Sequence, residues 1–476
     1  MVIKNYEIGA RLDRLPVSKW HRKLLWLIGL GLIIDGFDNY IGGVILAQLT
    51  KIGWSNDYYN AAFSSATLAG LFVGSLLAGF LGDKFGRKTT YQINLLIFGI
   101  GSIIAAFSVN MAMLIGMRAI IGVGLGAEIV VGFSTFTEFL PSKTRGKWVS
   151  MLSLIGNSAP PVATLIGLIV IPAFGPTYGW RAMFLIAGIA AFVVWFLRKA
   201  MPESPRWLAT KGRTDEAHKI ATDVEHEIEA EMRFSLPPVD DVYQEEEEQV
   251  KIPFSTLFKK PLLLRTIVGI SVLIGMNISL YTITTWIPTL FVKRGISVTT
   301  SIFMTTLILF GAPVGVFIAT KVIDKFPRKW FGTIMLVLVA IFSVIYAIQT
   351  NPITIVIFGF ALISFLYIYV CFASAVYVPE LWPTEIRLRG AGFCTAIGRG
   401  FAILTPYGVA FLLSKFGEIS VFLTIAVIML VVAVILASLG IETRNKSAEE
   451  IAYDALSKKD AKELFANKVN ANTPEI

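Results

Sequence analysis

Long apolar runs separated by short polar segments dominate this chain. The first run covers 24–49, and five more lie near 60–81, 90–108, 111–136, 148–171 and 181–198. After a polar interval, six further runs lie near 262–291, 299–322, 331–348, 353–378, 391–413 and 419–440. About 20 apolar residues in a helix cross a bilayer, so the pattern predicts an all-α membrane protein with twelve transmembrane helices. The first run is longer than the core of a signal peptide, and we expect it to be retained.

The polar intervals divide the chain into five parts. We expect an N-terminal tail (1–23), a six-helix bundle (24–198), a central loop (199–261), a second six-helix bundle (262–440) and a C-terminal tail (441–476). The central loop carries an acidic run at 245–248 and has the character of a solvated linker. Short amphipathic helices are expected in it around 215–233.

The composition agrees with a membrane protein. Hydrophobic residues make up 55% of the chain and charged residues only 16%, which excludes a disordered chain, a disulfide scaffold and an ordinary cytosolic enzyme. A net charge of +9 would suggest nucleic acid as a partner of a soluble protein. Here Lys and Arg concentrate in both tails and in the loops after the even-numbered spans, as cytoplasmic segments do. We therefore expect a multi-pass plasma-membrane protein with both termini in the cytoplasm and no nucleic-acid partner.

Two loop motifs occur in both halves of the chain, at offsets of 241 and 242 residues. The recurring residues are Asp83, Arg87, Glu138 and Arg145 in the first half, and Asp324, Arg328, Glu380 and Arg387 in the second. A carboxylate at one helix end and an arginine of the next loop can form an ion pair, so we predict that these residues gate the cytoplasmic face. Duplicated halves also predict a shared substrate site near the midplane of the membrane.

Four motifs resemble signatures of the major facilitator superfamily. They are Gly79-x-x-x-Asp83-Lys84-x-Gly86-Arg87-Lys88, Arg118-x-x-x-Gly122-x-Gly124-x-Gly126, Pro202-Glu203-Ser204-Pro205-Arg206 and Glu442-Thr443-Arg444. The resemblance extends over about 20–450. It implies the major facilitator fold, in which two pseudo-symmetric six-helix bundles form a transporter rather than an enzyme.

Within that superfamily the chain resembles metabolite:proton symporters. Asp35-Gly36-Phe37-Asp38 is similar to the first-helix signature of aromatic-acid symporters. Gly124-Leu125-Gly126-Ala127-Glu128 is similar to the fourth-helix pattern of niacin and organic-ion carriers. Gly275-Met276-Asn277 in the seventh span resembles sugar porters, although Ser271 and Val272 replace the paired glutamines of that branch.

Ionisable side chains inside the spans are candidates for function, because each costs about 2.5–3.5 kcal/mol to insert. Asp35 and Asp38 are three residues apart and share a helix face. Two such close carboxylates disfavour joint ionisation, so at least one should carry a proton. Asp38 is the stronger candidate, since it matches the carboxylate position of both resembled branches. The alternative is a structural pair that binds backbone groups.

Arg118 completes the predicted proton-coupling set together with Glu128. The resemblance places the first and fourth helices side by side, so that Arg118 could stabilise ionised Asp38 and be released on its protonation. A permanent structural pair is the alternative. Glu128 is expected to be a second relay or a substrate contact.

The substrate-binding candidates lie in the second half. Arg399 in the eleventh span suits a carboxylate, which a guanidinium can bind through two hydrogen bonds. Pairing with Glu128 or another acidic group is its alternative role. Asn277, Tyr281 and Trp286 in the seventh span offer hydrogen bonds and an aromatic wall.

These features predict a secondary active transporter that imports a small organic acid with protons by alternating access. A sugar:proton symporter is the alternative, and a uniporter or a transporter-like nutrient sensor is a further one. No cofactor or metal is expected, because the sequence contains neither a GxxxxGK[ST] loop nor a Cys/His cluster. We expect a monomer whose partners are a small-molecule substrate, protons and the lipid bilayer.

Overall fold

The computed structural model describes residues 2–141, 144–238, 254–260, 262–382 and 386–444, and every regular element in those ranges is helical. Eleven helical segments of this part are long and apolar enough to cross a membrane. One of them, Arg145–Ala200, has 56 residues, which is enough for two spans. The predicted all-α fold with twelve spans is therefore confirmed.

The chain divides into two compact units. The first comprises Met1–Asp241 and Thr284–Thr306, and the second comprises Val242–Ile283 and Leu307–Ile476. The helices up to the central loop are α1 (Val2–Asp13), α2 (Lys19–Lys51), α3 (Asp57–Phe85), α4 (Arg87–Ala106), α5 (Met111–Phe139), α6 (Arg145–Gly156), α7 (Ala159–Leu197), α8 (Pro205–Thr210) and α9 (Thr214–Met232).

The remaining helices follow the central loop. They are α10 (Leu262–Lys293), α11 (Val298–Leu309), α12 (Gly311–Val322), α13 (Arg328–Ala347), α14 (Pro352–Val370), α15 (Val378–Glu380), α16 (Arg387–Phe416) and α17 (Glu418–Leu439). The end of α10 and most of α11 group with the first unit. A π-helical segment, Cys371–Tyr377, connects α14 to α15 and keeps the predicted tenth span continuous.

Helix α7 contains the boundary between the fifth and sixth spans. Gly175 has φ 73° and ψ 178° inside the helix, a conformation that glycine adopts without steric cost. Pro176 follows it, and a proline disfavours helical geometry in the residue before it. The chain therefore breaks between the two apolar runs, as their separation at 171 and 181 predicts.

Glycines allow α3 and α5 to pack with their backbones in contact. A Cβ on Gly74 would lie 2.0 Å from the carbonyl oxygen of Val123, and one on Gly126 would lie 2.1 Å from that of Leu71. Small residues serve this purpose in membranes, where close van der Waals contact rather than the hydrophobic effect holds helices together. The close approach sets Arg118 on α5 opposite Thr67 on α3.

Helices outside the spans cover one end of the first unit, where α3 and α5 end beside their charged loops. Helix α9 confirms the amphipathic helix expected around 215–233. Helix α1 was not expected. Its residues Ile8 and Leu12 are buried with Val224 and Ile228 of α9 in one hydrophobic cluster, so the N-terminal segment docks onto the central-loop helices.

Candidate functional site

Asp38 of α2 and Arg118 of α5 form a buried ion pair. Arg118 Nη1 lies 2.5 Å from Asp38 Oδ2, and the two side chains are 1% and 0% exposed. The structure therefore brings together the two residues for which the sequence predicts a proton-coupling partnership. A charge pair this dry is stable only while both partners keep their charge, because loss of one leaves the other buried and unpaired.

Neighbouring groups hold the Arg118 guanidinium in place. Its Nε donates a hydrogen bond to Thr67 Oγ1 at 3.0 Å. The guanidinium carbon also lies 4.8 Å from the ring centre of Phe63 and 5.8 Å from that of Phe184, within the range of cation–π attraction. These contacts, together with Asp38, hold the guanidinium in its buried position.

A second buried ion pair joins Glu128 of α5 to Arg198. Arg198 Nη1 donates to Glu128 Oε1, and both side chains are at most 2% exposed. Nε and Nη2 of the same arginine donate to the carbonyl oxygens of Leu27 and Ile28, each at 3.0 Å. The sequence pattern did not single out Arg198, because it stands at the last position of the predicted sixth span, where basic residues usually reach the interface.

Gly31 of α2 creates the space that Arg198 occupies. A Cβ at this position would lie 1.8 Å from Arg198 Nη2 and 2.5 Å from Glu128 Oε1. The guanidinium therefore lies directly against the backbone of α2, where it reaches the carbonyl groups. A glycine at this position indicates that another group packs closely against α2, but the sequence does not show that this group is Arg198.

Asp35 lies on α2 near both pairs and is 4% exposed. Neither of its carboxyl oxygens has a hydrogen-bond partner among the described residues. It lies one turn after Gly31, where Arg198 and Glu128 meet α2, and three residues before Asp38 on the same helix. All four predicted proton-coupling residues therefore lie in the first unit. Arg198, which the sequence pattern did not predict, lies in the same cluster.

Three of the four predicted substrate-binding residues lie in the second unit. Asn277 of α10 is 4% exposed, and its amide donates to the carbonyl oxygen of Leu273 at 2.8 Å. Helix α16 approaches here, since a Cβ on Gly398 would lie 3.1 Å from Asn277 Nδ2. Arg399 directly follows Gly398 on α16, and Tyr281 lies one turn after Asn277 on α10, so the two helices carry these residues where they approach each other.

Trp286, the fourth candidate, belongs to the first unit and is 2% exposed. It lies nine positions after Asn277 on the same helix. Trp286 is buried as a packed aromatic side chain is, and it belongs to a different unit from Arg399.

The predicted loop pairs form in both units. In the first unit, Arg87 lies 2.8 Å from Asp83 and 2.9 Å from Glu138. In the second, Arg328 lies 2.8 Å from Asp324 and 3.2 Å from Glu380. In each unit one arginine therefore connects the carboxylate at the end of one helix to the carboxylate of another.

Glu203 and Glu442 complete these two networks, and the sequence pattern did not assign them this role. Glu203 accepts hydrogen bonds from the backbone N–H groups of Arg87 and Lys88 at 2.8 and 3.2 Å. Glu442 accepts from those of Arg328 and Lys329 at 2.7 and 3.1 Å. A carboxylate there satisfies the unpaired N–H groups that begin a helix and complements its dipole.

Arg145 and Arg387 also occupy equivalent positions. Arg145 donates to the carbonyl oxygen of Leu140, and Arg387 to that of Trp382, both at 3.4 Å. Arg145 additionally lies 3.8 Å from Asp13 of α1. These two arginines therefore bind the ends of the preceding segments, while Arg87 and Arg328 bind Glu138 and Glu380.

Twelve spans with buried ion pairs and a duplicated charge network define a secondary transporter of the major facilitator superfamily. Residues 26–455 match the family model of sugar (and other) transporters, and the chain belongs to that family. The family consists of membrane transporters, so the protein is a multi-pass transporter of small molecules and not an enzyme.

Individual relatives cover nearly the whole chain. The inner membrane metabolite transport protein YdjE of Escherichia coli is 51% identical over 94% of this chain and 98% of its own length. The niacin transporter NiaP of Acinetobacter baylyi is 30% identical over 94% of this chain and 99% of its own. The inward-open xylose transporter XylE of E. coli has the same fold, with a TM-score of 0.73, 18% identity, and coverage of 92% of this chain and 100% of its own.

Proposed function

We propose that the protein imports a small organic carboxylate together with protons by alternating access. The observation that carries the proposal is the buried pair of Asp38 and Arg118 at 2.5 Å. Burying such a pair is costly, so we take it as the element that couples transport to protons, and the choice of a carboxylate substrate depends on Arg399. In this proposal the protein works as a monomer in the plasma membrane, with both termini in the cytoplasm.

Proton coupling follows from the charge balance of that pair. When Asp38 takes up a proton, its attraction to Arg118 is lost and the contact between α2 and α5 weakens. A transporter changes state when a ligand binds one state better than the other. The proton is such a ligand here, because it binds best in the state where the two side chains are separated.

The carboxylate assignment depends on Arg399 and its surroundings. Its half-buried guanidinium lies on a span beside Tyr281 and one residue from the contact of Gly398 with Asn277. A bidentate arginine recognises a carboxylate, and the neighbouring phenol and amide supply hydrogen bonds for the rest of a small ligand. The 30% identity to a niacin transporter supports a pyridine carboxylate or a similar acid as the substrate.

The two loop networks are proposed as the cytoplasmic gate. Asp83 and Asp324 are 75% and 79% exposed, whereas Glu138 is 18% and Glu380 33% exposed. Exposed ion pairs contribute about 0–1 kcal/mol each. Ion pairs of that strength can break and re-form in every transport cycle. The basic loops around them match the positive-inside rule.

A ligand panel in proteoliposomes tests the proposal. Proton uptake is recorded with an enclosed pH dye while nicotinate, benzoate or xylose is added outside. We expect one of the two acids to drive proton entry, with the response lost in Arg399→Ala and partly kept in Arg399→Lys. Arg389→Ala, an exposed residue of the same helix, is the matched control. Proton entry driven by xylose alone and unaffected by Arg399→Ala would identify a sugar symporter instead.

A further inference from the structure

The buried charges of the first unit do not balance. Among the described residues of its spans, five side chains with a carboxyl or guanidinium group are at most 4% exposed: Asp35, Asp38, Arg118, Glu128 and Arg198. They comprise three carboxylates and two guanidinium groups. A net charge in a dry interior is strongly unfavourable, so one carboxylate in this cluster must be neutral.

The hydrogen bonds identify which one. Arg118 binds Asp38, and Arg198 binds Glu128. Each guanidinium also has further partners, namely Thr67 for the first and the carbonyl groups of α2 for the second. Asp35 alone has two buried oxygens without any hydrogen-bond partner in the described part of this cluster.

We propose that Asp35 holds a proton in this conformation and can pass it to Glu128. The Glu128–Arg198 pair is then a second coupling element, distinct from Asp38–Arg118. This role in transport rests on the function proposed above. The protonation itself depends only on the geometry of the cluster.

Glu128 is suited to receive the proton. One of its oxygens, Oε2, is buried without a hydrogen-bond partner, and its Oε1 lies against α2 one turn before Asp35, since a Cβ on Gly31 would be 2.5 Å from it. Transfer of the proton from the Asp35 carboxyl group to Glu128 leaves Asp35 as a carboxylate and Glu128 as a neutral acid. Arg198 then changes its partner from Glu128 to Asp35, and no further proton donor is required.

The consequence of that exchange reaches the helix backbone. Arg198 binds the carbonyl groups of Leu27 and Ile28 and lies against Gly31, all on α2, while it extends the end of α7. A change in its ion-pair partner therefore alters how α7 holds α2. Arg198 is thus a positioning residue that connects the protonation state of Asp35 to the packing of two spans.

Infrared spectroscopy of the purified, full-length protein at pH 7 tests this without any substrate. A protonated carboxylic acid has a C=O stretch that is separate from the carboxylate bands. We expect this band in the wild type and its loss in Asp35→Asn, which preserves the size and the neutral charge of the protonated side chain. Asp83→Asn, at an exposed position, should leave the band unchanged.

A second variant gives the opposite change. Arg198→Gln removes one cation, so Glu128 should also become neutral and a second protonated carboxyl should appear. Persistence of the band in Asp35→Asn, or its absence from the wild type, would overturn the inference. Neither result depends on transport, so a wild type that moves no protons would contradict the proposed function and leave this protonation test intact.

Discussion

Glu203 accepts a hydrogen bond from the backbone N–H of Arg87 at 2.8 Å. The glutamate comes from the segment after the sixth span, 116 residues further along the chain. Glu442 does the same for Arg328 at 2.7 Å. Two sequence motifs that look unrelated therefore perform one task, since each places a carboxylate at the N-terminus of a helix that begins with an arginine of the loop networks.

Removal of either glutamate should release a specific pair of amides. In Glu203→Ala, we expect faster hydrogen exchange at the backbone amides of Arg87 and Lys88, because the helix loses a capping interaction of about 0.5–2 kcal/mol. In Glu442→Ala, the faster amides should be those of Arg328 and Lys329. Each variant is the control for the other, and equal exchange at both sites in either variant would contradict the assignment.

The two carboxylates bound by each loop arginine, Arg87 or Arg328, should contribute unequally to stability. Glu138 is 18% exposed and Asp83 is 75% exposed, although both lie within 3 Å of Arg87. Water screens the more exposed pair, so Glu138→Gln should lower the melting temperature in detergent more than Asp83→Asn does. A larger effect from Asp83→Asn would show that burial does not determine the strength of this loop network.

Gly31 should not tolerate a methyl group. Gly31→Ala would place a Cβ 1.8 Å from Arg198, and overpacking of this kind costs about 1–3 kcal/mol. We expect a lower melting temperature in detergent and loss of transport. Gly116→Ala, where the added Cβ would meet no atom within 4 Å, should melt like the wild type; equal melting of both variants would argue against the tight contact.

Docking of α1 should depend on pH through Glu225 of α9. Burial tends to raise the pKa of this carboxyl, but hydrogen bonds from Arg11 and Arg14 and the charges of these arginines outweigh it, so the pKa lies below its usual value of 4.5. The contribution of Glu225 to docking is therefore complete above about pH 4.5 and is lost as the pH falls through the lowered pKa.

Limited proteolysis of the N-terminal segment measures that docking. We expect protection of 2–13 at pH 7 and cleavage at lower pH, with Glu225→Gln cleaved at both. His218, whose Nδ1 lies 3.0 Å from Arg11, provides the control: His218→Gln should keep the protection at pH 7. Undiminished protection in Glu225→Gln would mean that the apolar contacts of Ile8 and Leu12 are sufficient for docking.

The spans and the first ion pair could be predicted from the sequence for one physical reason. A membrane requires long apolar helices, and a charge left inside one requires a partner, so Asp38 and Arg118 were identifiable by their rarity. Arg198 was not, because an arginine at the end of a span normally reaches water. Its burial follows from the space at Gly31 and from the carbonyl groups of α2, which only the folded chain brings near.

The local pattern also could not assign the long-range contacts of the loops. Glu203 and Glu442 are ordinary acidic residues in sequence, and their helix-capping role depends on how distant segments fold back. The same applies to α1, a polar segment whose amphipathic face becomes visible only where α9 covers it. By contrast, the sequence predicts ion pairs among the residues of the repeated loop motifs, although the particular partner of each arginine, such as Glu138 for Arg87, is visible only in the folded chain.

The central claim is that Asp38 and Arg118 couple substrate movement to protons. Proteoliposomes that contain the wild type or Asp38→Asn are assayed with the acid that drives proton entry in the ligand panel. Two fluxes are measured: accumulation of the acid driven by a proton gradient, and exchange of labelled for unlabelled acid. The account predicts that Asp38→Asn loses accumulation driven by a proton gradient but retains exchange of labelled for unlabelled substrate, which also shows that the variant is folded. Proton-driven accumulation at the wild-type level in Asp38→Asn would contradict the account.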